Sequence, residues 1–194
     1  MGLGPIGLAT ARLIHERPDL RLVGAVDIDP QLVGRDIANV VGLEELTGIE
    51  IVAGLSDVYR EADIIVHTTV SHFPAITAQV VQILENGLDV VLTSEELSFP
   101  WQAHRQEADE LDESREGSVV GTGVNPGFVM DRLPLFLTSI CQHVDCVHVE
   151  RAINASLRRG PFQSKIGSGL SLDAFHAQVA SDVSDMWAFP NPWT

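Results

Sequence analysis

Six residues at the start of the chain, Gly2-Leu3-Gly4-Pro5-Ile6-Gly7, make a G-x-G-x-x-G run that leads into an amphipathic stretch. This spacing suits a pyrophosphate. The first glycine makes a tight turn, the second lets the backbone approach the phosphates, and the third lets a helix pack closely on a strand. Pro5 fits a helix-opening position, where its missing N–H is not needed, and the helix start offers free N–H groups and the positive end of its dipole. Asp27 ends an apolar run 20 residues after Gly7, where a carboxylate can accept hydrogen bonds from an adenosine ribose. That acid favours NAD, because it would repel a 2′-phosphate. Arg35 is near enough in sequence to soften the preference, so NADP stays open. Thr69 and His72, at and just after the end of a further apolar run, are placed to approach the same ligand. A glycine-rich turn in another kind of α/β protein is the competing reading.

The elements that must hold these residues follow from hydrophobic periodicity. Short apolar runs, Leu20 to Asp27, Ile49 to Ala53, Ala62 to Thr69, Asp89 to Thr93 and Ser118 to Thr122, alternate with amphipathic stretches. The stretches, read as helices, run from Pro5 to Arg17, Ser56 to Glu61, Pro74 to Glu85 and Pro100 to Ser114. Strands alternating with helices predict a parallel sheet with right-handed crossovers, a doubly wound α/β layer structure. After Gly123 the character changes. Asn125-Pro126-Gly127 reads as a turn, Val129 to Ile140 as a helix, Asp145 to Ala155 as a strand and Leu172 to about Asp185 as a helix, with Arg158 to Pro161 and Gly167 to Gly169 interrupting the pattern. A boundary near 123 therefore divides the chain into a nucleotide-binding domain over 1–123 and part of a second domain over 124–194. No strand precedes Gly2, and loss of that central strand is expected to open the sheet. A late start site or a truncated chain is the expectation.

Two internal segments, DVVLTSEELSFPW from Asp89 to Trp101 and GTGVNPGFVMDRLP from Gly121 to Pro134, are more specific than the glycine loop. With that loop and the GAVDIDPQLVGRD segment, they resemble the NAD(P)-dependent amine dehydrogenases related to 2,4-diaminopentanoate dehydrogenase, which are themselves similar to dihydrodipicolinate reductase. Relatives of this kind extend beyond both ends of the chain. The resemblance implies a Rossmann domain followed by an α+β domain that closes over the nicotinamide and makes a homodimer in the full-length protein. It also implies reversible oxidative deamination of a small amine or diamino acid, with a ketone and ammonia as products. The acid/base glutamate of the family falls on Glu95 or Glu96, and the sequence does not separate the two. Both follow the carboxyl end of a predicted strand, where ligands of open α/β sheets bind; the competing reading is that the pair simply opens the next helix.

Further roles come from the same resemblance. Asn125 and Pro126 are expected on the nicotinamide side of the cleft, and Phe128, Arg151 and Asn154 are expected to contact substrate. The competing roles are a core position for Phe128 and a surface ion pair for Arg151. Dihydrodipicolinate reductases carry adjacent histidines and a lysine on the strand matching Val147 to Ala155. Here that segment is VHVERAINA, without a histidine pair, so a reductase-like imine activity is disfavoured and is the runner-up within enzymes, while a truncated, inactive dinucleotide-binding module is the second hypothesis, of another class. Lys165 with Gly167-Ser168-Gly169 is similar to the reductases' carboxylate-binding loop, or is a plain solvent loop.

Charge and composition limit the partners. There are 12 Lys+Arg against 27 Asp+Glu, for a net charge of −15. A chain this acidic lacks the basic face that displaces counterions from nucleic acid. Only one of the cations is a lysine, Lys165, which fits either a salt-adapted protein or an ordinary acidic cytosolic enzyme. No apolar segment reaches the ~18 residues of a membrane span, and no signal peptide follows Met1, so a cytoplasmic location is expected. Cys141 and Cys146 are spaced for neither zinc nor redox pairing and are expected to be small buried hydrophobes. The seven histidines show no metal-ligand spacing, and no metal is expected.

Overall fold

The structure, a computed structural model, describes residues 1–58, 61–113, 116–124, 127–157 and 160–180. The chain divides into two compact units, Met1–Phe128 and Val129–Thr194.

In the first unit, α1 (Pro5–Glu16) precedes β1 (Ala25–Val26), α2 (Ile37–Val41) and β2 (Ile51–Val52). Then come β3 (Ile64–His67), α3 (Phe73–Glu85), β4 (Asp89–Leu92), α4 (Arg105–Glu113) and β5 (Val119–Gly121). All strand pairs are parallel: β1 with β2, and β3 with β4 with β5, in registers such as Ala25 with Ile51, Val66 with Val91 and Val91 with Val120. The backbone of Met1 and Gly2 spans the gap between the two groups. Gly2 N–H donates to the Val26 carbonyl at 2.8 Å, the Thr68 N–H donates to the Met1 carbonyl at 2.8 Å, and the Met1 nitrogen donates to the Val66 carbonyl at 2.8 Å. The ladders form two separate sheets, β1 with β2 and β3 with β4 and β5, in line with the expectation that the sheet opens where a central strand is lacking. The main chain of Met1 and Gly2 bridges the two by these single hydrogen bonds, and both parts keep the parallel order of a doubly wound fold.

Alternation along the strands covers both faces. Ala25 and Ile51 join Leu3, Ala11, Ile37 and Val41 in one buried cluster. Val26 turns to the other, with Ile65, Phe73, Ile76, Val80, Val90 and Leu92. β1 is buried at both its residues, whereas β3 and β4 bury alternate residues and leave Ile64 and Asp89 exposed; the runs of Val and Ile mark both kinds of strand. The observed strands are shorter than the apolar runs, because only Ala25 and Val26 of the run over 20–27 meet a partner strand. The helix expected from Ser56 to Glu61 is a single 3₁₀ turn, Leu55–Asp57, and α4 begins at Arg105 after a turn rather than at Pro100. Helix α2 was not foreseen. Asp36 caps it, accepting from Ala38 N–H at 2.8 Å and also from Thr47 and Gly48, and Gly42 ends it in the left-handed conformation. Desolvation is the largest single influence on Asp36 and raises its pKa, but these hydrogen bonds together outweigh it and hold the carboxyl below its ordinary range.

The second unit contains helical turns and no strand among its described residues. A π-helical turn (Phe128–Arg132) at the unit boundary leads into α5 (Leu133–Leu137) and a 3₁₀ turn (Thr138–Ile140), so the expected helix over 129–140 is helical backbone of three kinds. Two short helices follow, α6 (Gly160–Lys165) and α7 (Leu172–Ala180). The expected strand over 145–155 is irregular backbone. A strand needs a ladder partner, and the described residues of this unit offer none. Cys141 and Cys146 are consequently exposed rather than buried, because no sheet forms to cover them. Among the described residues, no helix is long and apolar enough to cross a membrane.

Candidate active site at the carboxyl edge of the sheet

The glycine loop bends back against the turn after β3. Gly2 has a φ of +81°, open to glycine at little cost, and a Cβ there would lie 2.8 Å from both the Thr69 N and its Cγ2. Gly7 is buried. A Cβ on it would overlap the Gly2 carbonyl and lie 2.8 Å from Thr68 Oγ1, the hydroxyl that donates to the Gly2 carbonyl at 2.6 Å. These two glycines answer to contacts within the protein. Gly4 does not: its φ is −64°, which any residue adopts, and a Cβ there meets nothing within 4 Å. It forms the N-cap of the 12-residue α1, with Pro5 in the first turn and with Gly4, Pro5 and Ile6 exposed. The backbone is thus bare where a pyrophosphate would approach the start of the helix.

Asp27 follows β1 and faces this loop. One carboxylate oxygen accepts the Leu3 N–H at 2.5 Å and the other accepts the Asp29 N–H at 2.8 Å. Each oxygen has a second lone pair, so the carboxylate is oriented by the backbone and can still accept from ribose hydroxyls. Arg35 is exposed in the segment after Asp27, and its carbonyl accepts the Ile51 N–H at 2.9 Å.

The end of β3 and the turn after it carry His67, Thr69 and His72. His67 is buried, with Nε2 3.0 Å from Gln79 Oε1. Burial lowers its pKa against the opposing effect of that hydrogen bond, and the Met1 ammonium lowers it further. Thr69 is exposed beside Gly2. His72 is exposed at the N-cap of α3.

Glu95 and Glu96 open the 3₁₀ turn Glu95–Ser98 that follows β4. Glu96 Oε2 accepts the Phe73 N–H, the first amide of α3, at 2.7 Å. The same oxygen lies 3.4 Å from His72 Nδ1 and 3.2 Å from His104 Nε2. Glu95 is half-buried and has no hydrogen-bond or ion-pair partner among the described residues. His104 was not singled out in the sequence. It lies 31 residues from Phe73, too far for any spacing rule to join them, yet its ring stands edge-on to Phe73 with centroids 5.8 Å apart.

The remaining expected site residues are placed as follows. Asn125 and Pro126 lie outside the described residues. Phe128 is 52% exposed, which corrects the core alternative. Arg151 and Asn154 belong to the second unit. They were expected on a strand, but they sit in irregular backbone. The Asn154 carboxamide accepts the Ser156 N–H at 3.0 Å and its hydroxyl at 2.8 Å, a local turn that competes with extended structure. Among the described residues, no group of three or more His, Cys, Asp or Glu is arranged to hold a metal ion.

The glycine loop, the bare helix start and the oriented acid fit a dinucleotide on observations of this chain. The chain is 27% identical over 186 residues to 2,4-diaminopentanoate dehydrogenase of Acetoanaerobium sticklandii, covering 92% of this chain and 52% of that protein. It is 24% identical over 184 residues to an amine dehydrogenase of Streptomyces virginiae (89% and 50%). With 4-hydroxy-tetrahydrodipicolinate reductase of Synechocystis sp. the identity is 29% over 153 residues (76% and 52%). The chain thus spans about half the length of these curated relatives. The solved structure of an amine dehydrogenase from Mycobacterium smegmatis superposes with a TM-score of 0.65 at 25% identity, covering 71% of this chain and 42% of that one. The family model described as dihydrodipicolinate reductase, N-terminus, matches residues 1–99, more than half of the sequence. The chain belongs to the dihydrodipicolinate reductase N-terminal domain family, and its relatives include amine dehydrogenases.

Proposed function

We propose that this chain is the cofactor-binding part of an NAD(P)-dependent oxidoreductase acting on CH–NH₂ groups, which reversibly deaminates a small amine or diamino acid. The observation that carries the reading is Gly4. It has neither a steric nor a conformational reason inside the protein to be glycine, so its bareness is explained by a ligand that comes close.

In this reading the amides at the start of α1 hold the pyrophosphate, and Asp27 accepts from the adenosine ribose. Bound NAD(P)⁺ supplies the hydride acceptor. A carboxylate from the Glu95–Glu96 pair holds the substrate's ammonium group and takes a proton from it, so that the nitrogen lone pair can assist hydride departure from the adjacent carbon. Hydrolysis of the resulting imine then gives the ketone and ammonia. The rest of the proposed machinery, including a substrate-facing Phe128, Arg151 and Asn154 and a homodimer in the full-length protein, rests on similarity to amine dehydrogenases.

The test is formation of reduced nicotinamide from NAD⁺ or NADP⁺ with 2,4-diaminopentanoate and a panel of small primary amines, and the reverse reaction with ketones and ammonium. Amine-dependent reduction supports the reading. Turnover only with cyclic imines, in the reductive direction, would assign the chain to reductase-like chemistry, the alternative favoured by its similarity to the reductase of Synechocystis sp.. Saturable nucleotide binding with no turnover in either direction would leave a dinucleotide-binding module.

A further inference from the structure

The two adjacent glutamates are not equivalent in their surroundings. Glu96 Oε2 gathers contacts from two separate parts of the chain: the adjacent His72 Nδ1 at 3.4 Å and Phe73 N–H at 2.7 Å at the start of α3, and His104 Nε2 at 3.2 Å from the turn before α4. His104 is largely buried, with 20% of its side chain exposed, and its ring leans on Phe73, which is fully buried. A second tie runs beside this one, the buried Ser94 hydroxyl donating to the Ser71 carbonyl at 2.5 Å. The turns after β3 and β4 are thereby stapled together at the carboxyl edge of the sheet, where ligands of such folds bind. Glu95, one residue away, has no such partner among the described residues.

A proton carrier must pick up and release a proton in every cycle. A proton on Glu96 would remove the charge that strengthens the hydrogen bond from the Phe73 N–H and the contacts with the two imidazoles. The tie would weaken at each turnover. A carboxylate oxygen committed to a helix's first amide and two imidazoles is instead suited to hold neighbouring groups in place.

We propose that Glu96, linking the first amide of α3 to His72 and His104, is a positioning residue that fixes the Glu95–Ser98 turn and His72, and is not the group that carries the proton. The inference rests on the proposed amine chemistry, in which it leaves proton transfer to Glu95.

Two readouts on the same chain test it. The first is amide hydrogen exchange at Phe73, followed by NMR without substrate. The parent chain protects this amide, Glu96→Ala loses about tenfold or more of the protection, and Glu96→Gln, which keeps an acceptor oxygen but carries no proton, restores most of it. Glu95→Gln leaves it unchanged. The second is the rate of NAD(P)⁺ reduction with 2,4-diaminopentanoate. Glu95→Gln falls about 100-fold or more, whereas Glu96→Gln recovers most of the rate lost in Glu96→Ala. His104→Gln gives a further variant if Glu96→Ala does not fold, and it lowers Phe73 protection in the same direction. Glu96→Gln as inactive as Glu96→Ala, with Phe73 still protected, would make Glu96 the proton carrier and overturn the proposal. So would an unprotected Phe73 amide in the parent chain. If the parent chain turns over no amine, the proposed function fails, and the exchange experiment still decides whether Glu96 makes the tie.

Discussion

The two halves of the sheet's carboxyl edge are built in different ways. The half around Gly2–Gly7 and Asp27 is made mainly of backbone: a left-handed glycine, a buried glycine against a carbonyl, a bare helix start, and an acid held by two main-chain amides. The half around Glu96 is made mainly of side chains brought from two loops, with His72, Phe73, Glu96 and His104 meeting across 33 residues of sequence. Backbone requirements select residue types at fixed local spacing, so they can be read as a motif. Side-chain convergence depends on the register of strands distant in sequence and leaves no local pattern. The comparison can be broken or sharpened by substitutions on each side.

The largest effect is expected at Gly7. A methyl group there collides with the Gly2 carbonyl and crowds Thr68 Oγ1. Neither can retreat without disturbing the hydrogen bonds that join β1 to β3 through Met1 and Gly2. Gly7→Ala should destabilise the first unit by about 3 kcal/mol or more, measured by thermal or urea denaturation. A Gly7→Ala chain as stable as the parent would mean that the loop is not packed as described.

Gly4 should behave in the opposite way. Because a Cβ there meets nothing and the φ is ordinary, Gly4→Val should cost only the loss of a favoured N-cap residue, about 0.5–1 kcal/mol. It should nevertheless weaken dinucleotide binding about tenfold or more, by blocking the approach of the phosphates. Calorimetric titration alongside denaturation separates the two quantities, and a Gly4→Val chain that binds NADH like the parent would remove the main support for a ligand at this loop.

On the side-chain half, Glu96→Ala leaves the first amide of α3 without its acceptor. By analogy with the loss of a helix cap it should cost about 1 kcal/mol, read as a lowered denaturation midpoint. Glu96→Gln should recover most of it. Equal losses in the two variants would point to charge rather than to the hydrogen bond.

The smallest effect is a pH dependence from His67. Burial holds its pKa below the ordinary 6.5 in the folded chain. The unfolded chain therefore takes up a proton first as pH falls, and stability declines below about pH 6.5 while remaining level above it with respect to this group. His67→Gln should flatten that slope in denaturation midpoints collected across the range. An unchanged slope would assign the acid sensitivity to other groups.

Much of the first unit was legible because each signal was local. The Val/Ile runs mark the strands, and Pro5 with the amphipathic pattern marks α1. The short α2 was missed although Asp36 and Gly42 bracket it, since five residues carry too little periodicity to stand out. In the second unit the apolar stretch Val147-His148-Val149 resembles a strand in composition, but extended backbone is stable only beside a partner, and the described residues supply none there. Exposure follows the same division. Ile37, Ile51 and Phe73 are fully buried in the first unit, while Leu135, Phe136 and Ile140 of the second are well exposed. At the site, the glycine loop and Asp27 were visible in the sequence, and Glu95 and Glu96 were visible only as a pair. The difference between them came from His104 and the Phe73 amide, which strand register alone brings into contact.

The central claim is that the start of α1 and Asp27 form a nucleotide site, and fluorescence titration of the chain with NADH and, separately, NADPH tests it most directly. The account predicts saturable binding of at least one of them that weakens about tenfold in Asp27→Ala, the loss expected when a charged hydrogen-bond acceptor is removed. Saturable binding of neither nucleotide, or binding that Asp27→Ala and Gly4→Val leave untouched, would contradict it.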